Sequence, residues 1–200
     1  MKKEIYWSTI SSIIFAFAGI LTLWLWQSGK TKIYYNIAAF GAWYLPCSLL
    51  LSMLLQETYY YWLHRLMHHP ALFSKVHKIH HDSHTTSPFT AFSFHPIESV
   101  IQAIALPAVL LLLPLHPIVI PTQLVLMSFT SVINHLNIDI YREIAAKNYI
   151  GKWVIGATHH SHHHKQHRYN FGLYFTIWDK LIKTECPVKQ PLAGDNPVKK

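Results

Sequence analysis

The stretch Tyr59-Tyr60-Tyr61-Trp62-Leu63-His64-Arg65-Leu66-Met67-His68-His69 follows directly on a long apolar run and opens the histidine-bearing part of the chain. On a helix continuing through it, His64 and His68 lie four residues apart, one turn above the other on one face. Two imidazoles so placed reach a single metal ion. Further on, Val76-His77-Lys78-Ile79-His80-His81 sets histidines at i, i+3 and i+4. Much later, Thr158-His159-His160-Ser161-His162-His163-His164 repeats that spacing with His160, His163 and His164. One HxxxH and two HxxHH clusters supply more nitrogen ligands than one ion takes, and suit two ions.

Histidine is the outlying number of the composition, 16 of 200 residues, and every one falls between His64 and His167. His69, His84, His116 and His167 stand apart from these registers and read as structural. A low-complexity metal buffer would explain a histidine-rich loop, and His162 to His164 resembles a purification tag. Neither requires i, i+3, i+4 registers in separate segments. Cys47 and Cys186 are the only cysteines, which rules out a disulfide scaffold, a cysteine zinc site and an iron–sulfur cluster. No HExxH is present and no Glu-xx-His pair, so the zinc-protease and carboxylate di-iron patterns are absent. Imidazole by itself suits Fe, Zn, Cu and Ni alike.

Hydrophobic residues make up 51% of the chain and charged ones 13%, about half the charged share of a soluble domain. Ile5 to Gln27 carries no charge and as a helix spans about 35 Å, enough to cross a bilayer. The run is too long for a signal peptide, and no small-residue cleavage site closes it. Ile33 to Gln56, kinked at Pro46, reads as a second crossing. Ser99 to Ile138, with Pro107, Pro114, Pro117 and Pro121 about its middle, reads as a helical hairpin returning to the side it left. The expected fold is therefore an all-α integral membrane protein of about four transmembrane or hairpin helices under a cytosolic histidine-rich helical cap. Residues 1–56 form the first two spans, 57–184 the metal-binding domain and 185–200 an extended or disordered tail.

Of the 17 Lys and Arg residues, only Lys30 and Lys32 fall in the first hairpin loop. The positive-inside rule then puts both termini and the histidine segments on the cytoplasmic side of a multi-pass protein. The formal charge of +8 is spread over juxtamembrane segments without a compact stripe, so anionic lipid head groups explain it better than nucleic acid. A metal-binding or metal-transport protein is the competing class. A transporter places polar or ionisable residues in mid-span, and these spans carry essentially none.

The order of these motifs resembles the fatty acid hydroxylase/sterol desaturase superfamily, over about Tyr59 to Thr184. Besides the histidine clusters, the resemblance covers Thr86-Ser87-Pro88-Phe89-Thr90-Ala91-Phe92-Ser93-Phe94-His95-Pro96-Ile97-Glu98 and Asn134-His135. It closes with Asn170-Phe171-Gly172-Leu173-Tyr174-Phe175-Thr176-Ile177-Trp178-Asp179-Lys180. The Pro88-to-His95 segment and the doubled His159-His160 are most similar to C5-sterol desaturases, with alkylglycerol monooxygenases next. Where that family ends its Trp-Asp motif with Gly-Thr, this chain has Lys183 at the Gly position.

The resemblance implies two iron ions, O2 as co-substrate, and hydroxylation or desaturation of a sterol-like or fatty acyl or alkyl C–H bond. Electrons would come from an external donor of cytochrome b5 or ferredoxin type, since no Gly-rich dinucleotide fingerprint is present. The expected metal ligands are His64, His68, His77, His80, His81, His160, His163 and His164, with His135 as a ninth at the end of the last span. His95, His159 and Asp139 are further candidates. Glu98 and Asp179 are candidates to orient ligand imidazoles through the second ring nitrogen. Tyr59 to Trp62 reads as an interfacial aromatic belt, and Asn170 and Gly172 as turn residues.

Overall fold

The computed structural model describes residues 1–136, 138 and 150–187. The fold is helical: α1 (Lys2–Gln27), α2 (Tyr44–Met67), α3 (Pro70–Val76), α4 (Lys78–His81), α5 (Pro96–Ala103), α6 (Ala105–Leu112), α7 (Val119–Asn134), α8 (Ala157–Gln166) and α9 (Ile177–Leu181). Among the described residues no strand forms beyond the single antiparallel bridge Val154–Phe175.

α1 is the one described helix both long and apolar enough to cross a membrane; Pro96–Leu112 and Val119–Asn134 are shorter apolar helices. Its end is set locally. Gly29, at φ 67°, takes the left-handed position after the cap, and its N–H donates to Trp26 O while that of Lys30 donates to Leu25 O. Those two bonds satisfy carbonyls that the helix leaves open.

α2 begins at Tyr44, which corrects the expected second span from Ile33. The chain instead meets the tip of the α6–α7 hairpin at its start, with Lys32 N bonded to Leu110 O and Tyr34 N to Leu115 O, and continues to Trp43 as a largely exposed loop with one helical turn at Ile37–Ala39. Pro46 thereby falls in the first turn of α2, where its missing N–H has no partner to lose, and no mid-helix kink is required. At the hairpin tip Val109, Leu110, Leu115 and Val119 form the buried apolar cluster.

The helices are inverted relative to those of a soluble domain. The buried positions of α2 include Ser48, Ser52, Gln56, Glu57 and His64, while Leu50, Leu51, Trp62 and Leu66 are exposed. α1 buries Glu4, Ser11 and Thr22 and exposes Phe17, 67% accessible, with Ile20, Leu21 and Trp24. α7 buries Gln123 and Asn134 and exposes Val125, also 67%, and Phe129. The expectation that the apolar segments carry essentially no polar groups is thus corrected: the polar side chains are few, but they point inward.

At the other end, Glu185 N donates to Asp179 O and Cys186 N to Asn170 Oδ1, so the ordered chain continues at least to Cys186. The tail from residue 188 onward lies outside the described residues.

Candidate metal centre

α2 runs unbroken from its apolar half into the first histidine pair, carrying His64 inward. After His68 a short break allows α3 to start, with His69 Nδ1 accepting from Ala71 N and Pro70 in the first turn. α4 then presents His80 and His81, α7 delivers His135 at its C-cap, and α8 adds His160, His163 and His164.

Nine histidines fall into two groups. His64, His68, His77, His81 and His163 form one; His80, His135, His160 and His164 form the other. In each, the ligand-capable atoms all lie within 4.8 Å of one another. Every member is buried except His68, which is partly so.

The second ring nitrogens show what the first are for. Nδ1 of His64 lies 2.9 Å from Phe171 O, that of His163 2.6 Å from Tyr169 O, and that of His135 2.7 Å from Ser131 O. His77 Nδ1 lies 2.7 Å from Glu98 Oε1. Each of these partners is an acceptor, so Nδ1 donates and Nε2 is left with a bare lone pair. His64 and His77 nevertheless set their Nε2 atoms 3.0 Å apart. Two lone pairs at that separation repel unless a cation lies between them. The donor set and the anchored second nitrogens therefore fit a metal.

Protonation offers no easier way out. Burial, the largest cause, pushes His64 down to about 4, against the raising effect of the Phe171 carbonyl. Burial and the neighbouring rings hold His77, His80, His81, His160, His163 and His164 well below the ordinary histidine value. All stay neutral at pH 7, the form that ligates.

Of the remaining candidates, His95 lies outside both groups, its Nδ1 accepting from Ile97 N as the cap of α5. His159 is also outside them, with Nε2 3.9 Å from Asp179 Oδ2. Asp139 lies outside the described residues. His116 Nδ1 accepts from Ile118 N, a local structural role.

Asp179 does not orient an imidazole directly. Its carboxylate accepts from Phe171 N at 2.9 Å and Gly172 N at 3.0 Å, and so fixes the loop whose Phe171 carbonyl holds His64. From the opposite side Glu57, 1% exposed, accepts from Leu173 N and Tyr174 N. No spacing rule pointed to Glu57, because its partners lie more than a hundred residues away. Its one sequence signal is being an isolated acid at the edge of an apolar run. Gly172 sits between the two carboxylates: an added Cβ would stand 2.5 Å from Phe175 O and 2.9 Å from Glu57 Oε1.

The expected aromatic belt divides by role. Trp62 is exposed, whereas Tyr61 is fully buried and stacks on Trp178, and Tyr59 and Tyr60 line a cavity. That cavity, about 360 Å³, extends between α1, α2, α5, α6 and α7 and reaches His80, His135 and His160. Its walls are mainly apolar, with Gln56, Gln102 and Gln123 among them. Tyr174 Oη and Gln123 Nε2 both donate to Gln56 Oε1.

A buried, neutral, nitrogen-only double histidine centre at the end of an apolar cavity defines the class of site. The family model for fatty acid hydroxylase matches residues 49–184, and the chain belongs to that family. It is 27% identical to lathosterol oxidase of Homo sapiens over 76% of this chain and 50% of that protein. It is 28% identical to lathosterol oxidase of Rattus norvegicus over 90% of this chain and 60% of that protein. With the Delta(7)-sterol 5(6)-desaturase of Schizosaccharomyces pombe it shares 30% identity over 76% of this chain and 48% of the relative. The chain thus spans about half to three-fifths of the length of these curated relatives. No solved structure matches it.

Proposed function

We propose that the protein is a membrane-bound di-iron oxidoreductase that uses O2 to hydroxylate or desaturate a lipid C–H bond, on a sterol-like or fatty acyl or alkyl substrate. The observation that carries this reading is the junction of the apolar cavity with His80, His135 and His160. An apolar pocket ending on metal-binding nitrogens suits a substrate with no polar group at the reacting carbon.

His64, His68, His77, His81 and His163 would hold one ion and His80, His135, His160 and His164 the other. Two iron ions so bound would supply the redox chemistry, reducing O2 with electrons from an external donor and oxidising the lipid. The chain's own residues do the rest. Phe171 O, Tyr169 O, Ser131 O and Glu98 keep Nδ1 protonated and direct Nε2 inward. Glu57 and Asp179 hold the loop that closes the centre. The cavity wall presents the lipid in a dry environment.

The membrane reading draws on the inverted helices. Apolar side chains facing outward along α1, α2 and α7 suit hydrocarbon. The α1–α2 loop and the hairpin tip bond to each other, consistent with both lying at the end remote from the histidines. We assign α1 as a full crossing and the apolar half of α2 and the α6–α7 hairpin as membrane-embedded, with the histidine centre and the N-terminus cytoplasmic.

Lipidomics of cells with and without the protein, alongside a His163→Ala control, tests the reading. Disappearance of one hydroxylated or desaturated lipid in both the null and His163→Ala cells is expected. Unchanged lipids together with metal flux in liposomes would establish a transporter instead.

A further inference from the structure

The two histidine groups face different surroundings. His80, His135 and His160 of the four-histidine group line the cavity, and no member of the five-histidine group does. The five-histidine group instead approaches the surface at His68, the one member of either group not fully buried. Two rings cover it there. Phe73 stands 5.3 Å from His68 and 5.6 Å from His81, and His167 stands 5.9 Å and 4.5 Å from the same pair. Phe73 and His167 are themselves 5.2 Å apart, and His167 Nε2 donates to His164 O at 2.9 Å, which fixes its ring in the cover.

The segments that carry this cover are basic. Arg65, Lys75, Lys165 and Arg168 are all exposed, and each lies within three residues of His68, Phe73 or His167. Residues 58–81 and 156–178 contain no acid. Just beyond, Asp82 is matched by Lys78 at 2.6 Å, Asp179 is buried on the Phe171 and Gly172 amides, and Glu185 lies 3.9 Å from Lys180. A one-ring layer over the five-histidine group, flanked by exposed positive charge and facing away from the cavity, has the features of an electron-transfer contact.

Resting on the di-iron reading above, we infer that electrons enter at the five-histidine group through the Phe73–His167 cover, delivered by a small acidic one-electron carrier protein docked on the Arg65, Lys75, Lys165 and Arg168 rim. Each encounter oxidises the carrier by one electron and reduces the centre by one; no bond is made or broken at the surface. Complementary charge raises the encounter rate and makes it sensitive to salt. Lipid and carrier then use opposite sides of the centre without competing for space.

The test uses the full chain in detergent, loaded with iron, and the pre-reduced soluble haem domain of a cytochrome b5 as probe. Haem reoxidation on mixing is followed by absorbance for wild type and for the double variant Lys75→Glu, Lys165→Glu. The variant is expected to be about tenfold slower at low salt, with the gap closing at high salt, and to react with dithionite as fast as wild type. Equal cytochrome rates, or dithionite reduction slowed as much as cytochrome reduction, would overturn the inference. So would a variant that loses only its binding to anionic lipid vesicles, since the rim would then be a membrane contact. A wild type that binds no iron would refute the di-iron reading, and cytochrome binding to the same two proteins, expected about tenfold weaker for the variant, would then decide the docking surface alone.

Discussion

His77 Nδ1 lies 2.7 Å from Glu98 Oε1, a contact in which both side chains are almost completely buried. The carboxylate settles which nitrogen of His77 carries the proton and so points the lone pair of Nε2 at that of His64. Gln102 Nε2 supports the same oxygen at 3.0 Å. Glu98→Gln keeps the shape but replaces the carboxyl, which burial holds well above the usual carboxylate range, with an amide. Iron affinity measured against a chelator is expected to fall about 10–100-fold with helical content unchanged. Unaltered affinity would show that Glu98 is packing alone.

Lowered histidine pKa values make the metal-free protein acid-sensitive. Above pH 6.5 the rings are neutral folded or unfolded and contribute no pH dependence. Below it the unfolded chain takes up protons that the folded cluster refuses, so stability falls as pH falls. For His64, pushed down to about 4, the loss between pH 6.5 and 5 is about 2 kcal/mol. Thermal unfolding of metal-free protein should therefore show a midpoint that drops steadily over that range. A flat profile would mean the cluster is not buried in solution.

Gly172 has no room for a side chain. The methyl of Gly172→Ala would meet Phe175 O, Ile155 Cδ1 and Glu57 Oε1 at 2.5, 2.7 and 2.9 Å, the last an oxygen that holds the loop through Leu173 N. A destabilisation of about 1–3 kcal/mol is expected, with loss of iron, because displacing the loop moves the Phe171 carbonyl that anchors His64. Wild-type melting and iron content in that variant would count against the loop's positioning role.

Lys183 makes the opposite case. It stands where the similar family has glycine, and its φ of 61° is left-handed, a region costly for a residue with a Cβ. Lys183→Gly should raise stability by up to about 1 kcal/mol, read as a higher Tm at unchanged activity. A lower Tm would show that the lysine side chain outweighs its backbone strain.

What the sequence made legible followed from short-range geometry. His64 with His68, and the two HxxHH clusters, share helix faces by spacing alone, and the structure brings all eight together with His135. Glu98 was readable as an imidazole partner because few acids stand in apolar surroundings. Long-range pairing was not readable: Glu57 gripping Leu173 and Tyr174, or Asp179 holding Phe171, depends on chain crossings that no local pattern encodes. The start of α2 was missed for a different reason. An unbroken apolar run does not by itself demand a helix: Lys32 and Tyr34 bond to the hairpin tip, while Tyr35, Ile37, Phe40 and Trp43 stay exposed in the loop that follows. Gln56 and Gln123 were likewise hidden, since an average over an apolar segment conceals two polar groups aimed at one cavity.

Metal stoichiometry with and without one group is the most direct test of a two-site centre. Iron per chain would be measured on purified wild type and on His164→Ala, alongside conversion of the lipid identified by lipidomics. The account predicts two irons per wild-type chain, at most one tightly held in the variant, and no lipid oxidation there. A wild type holding one iron or none at saturation, or a His164→Ala protein that still oxidises lipid at the wild-type rate, would contradict it.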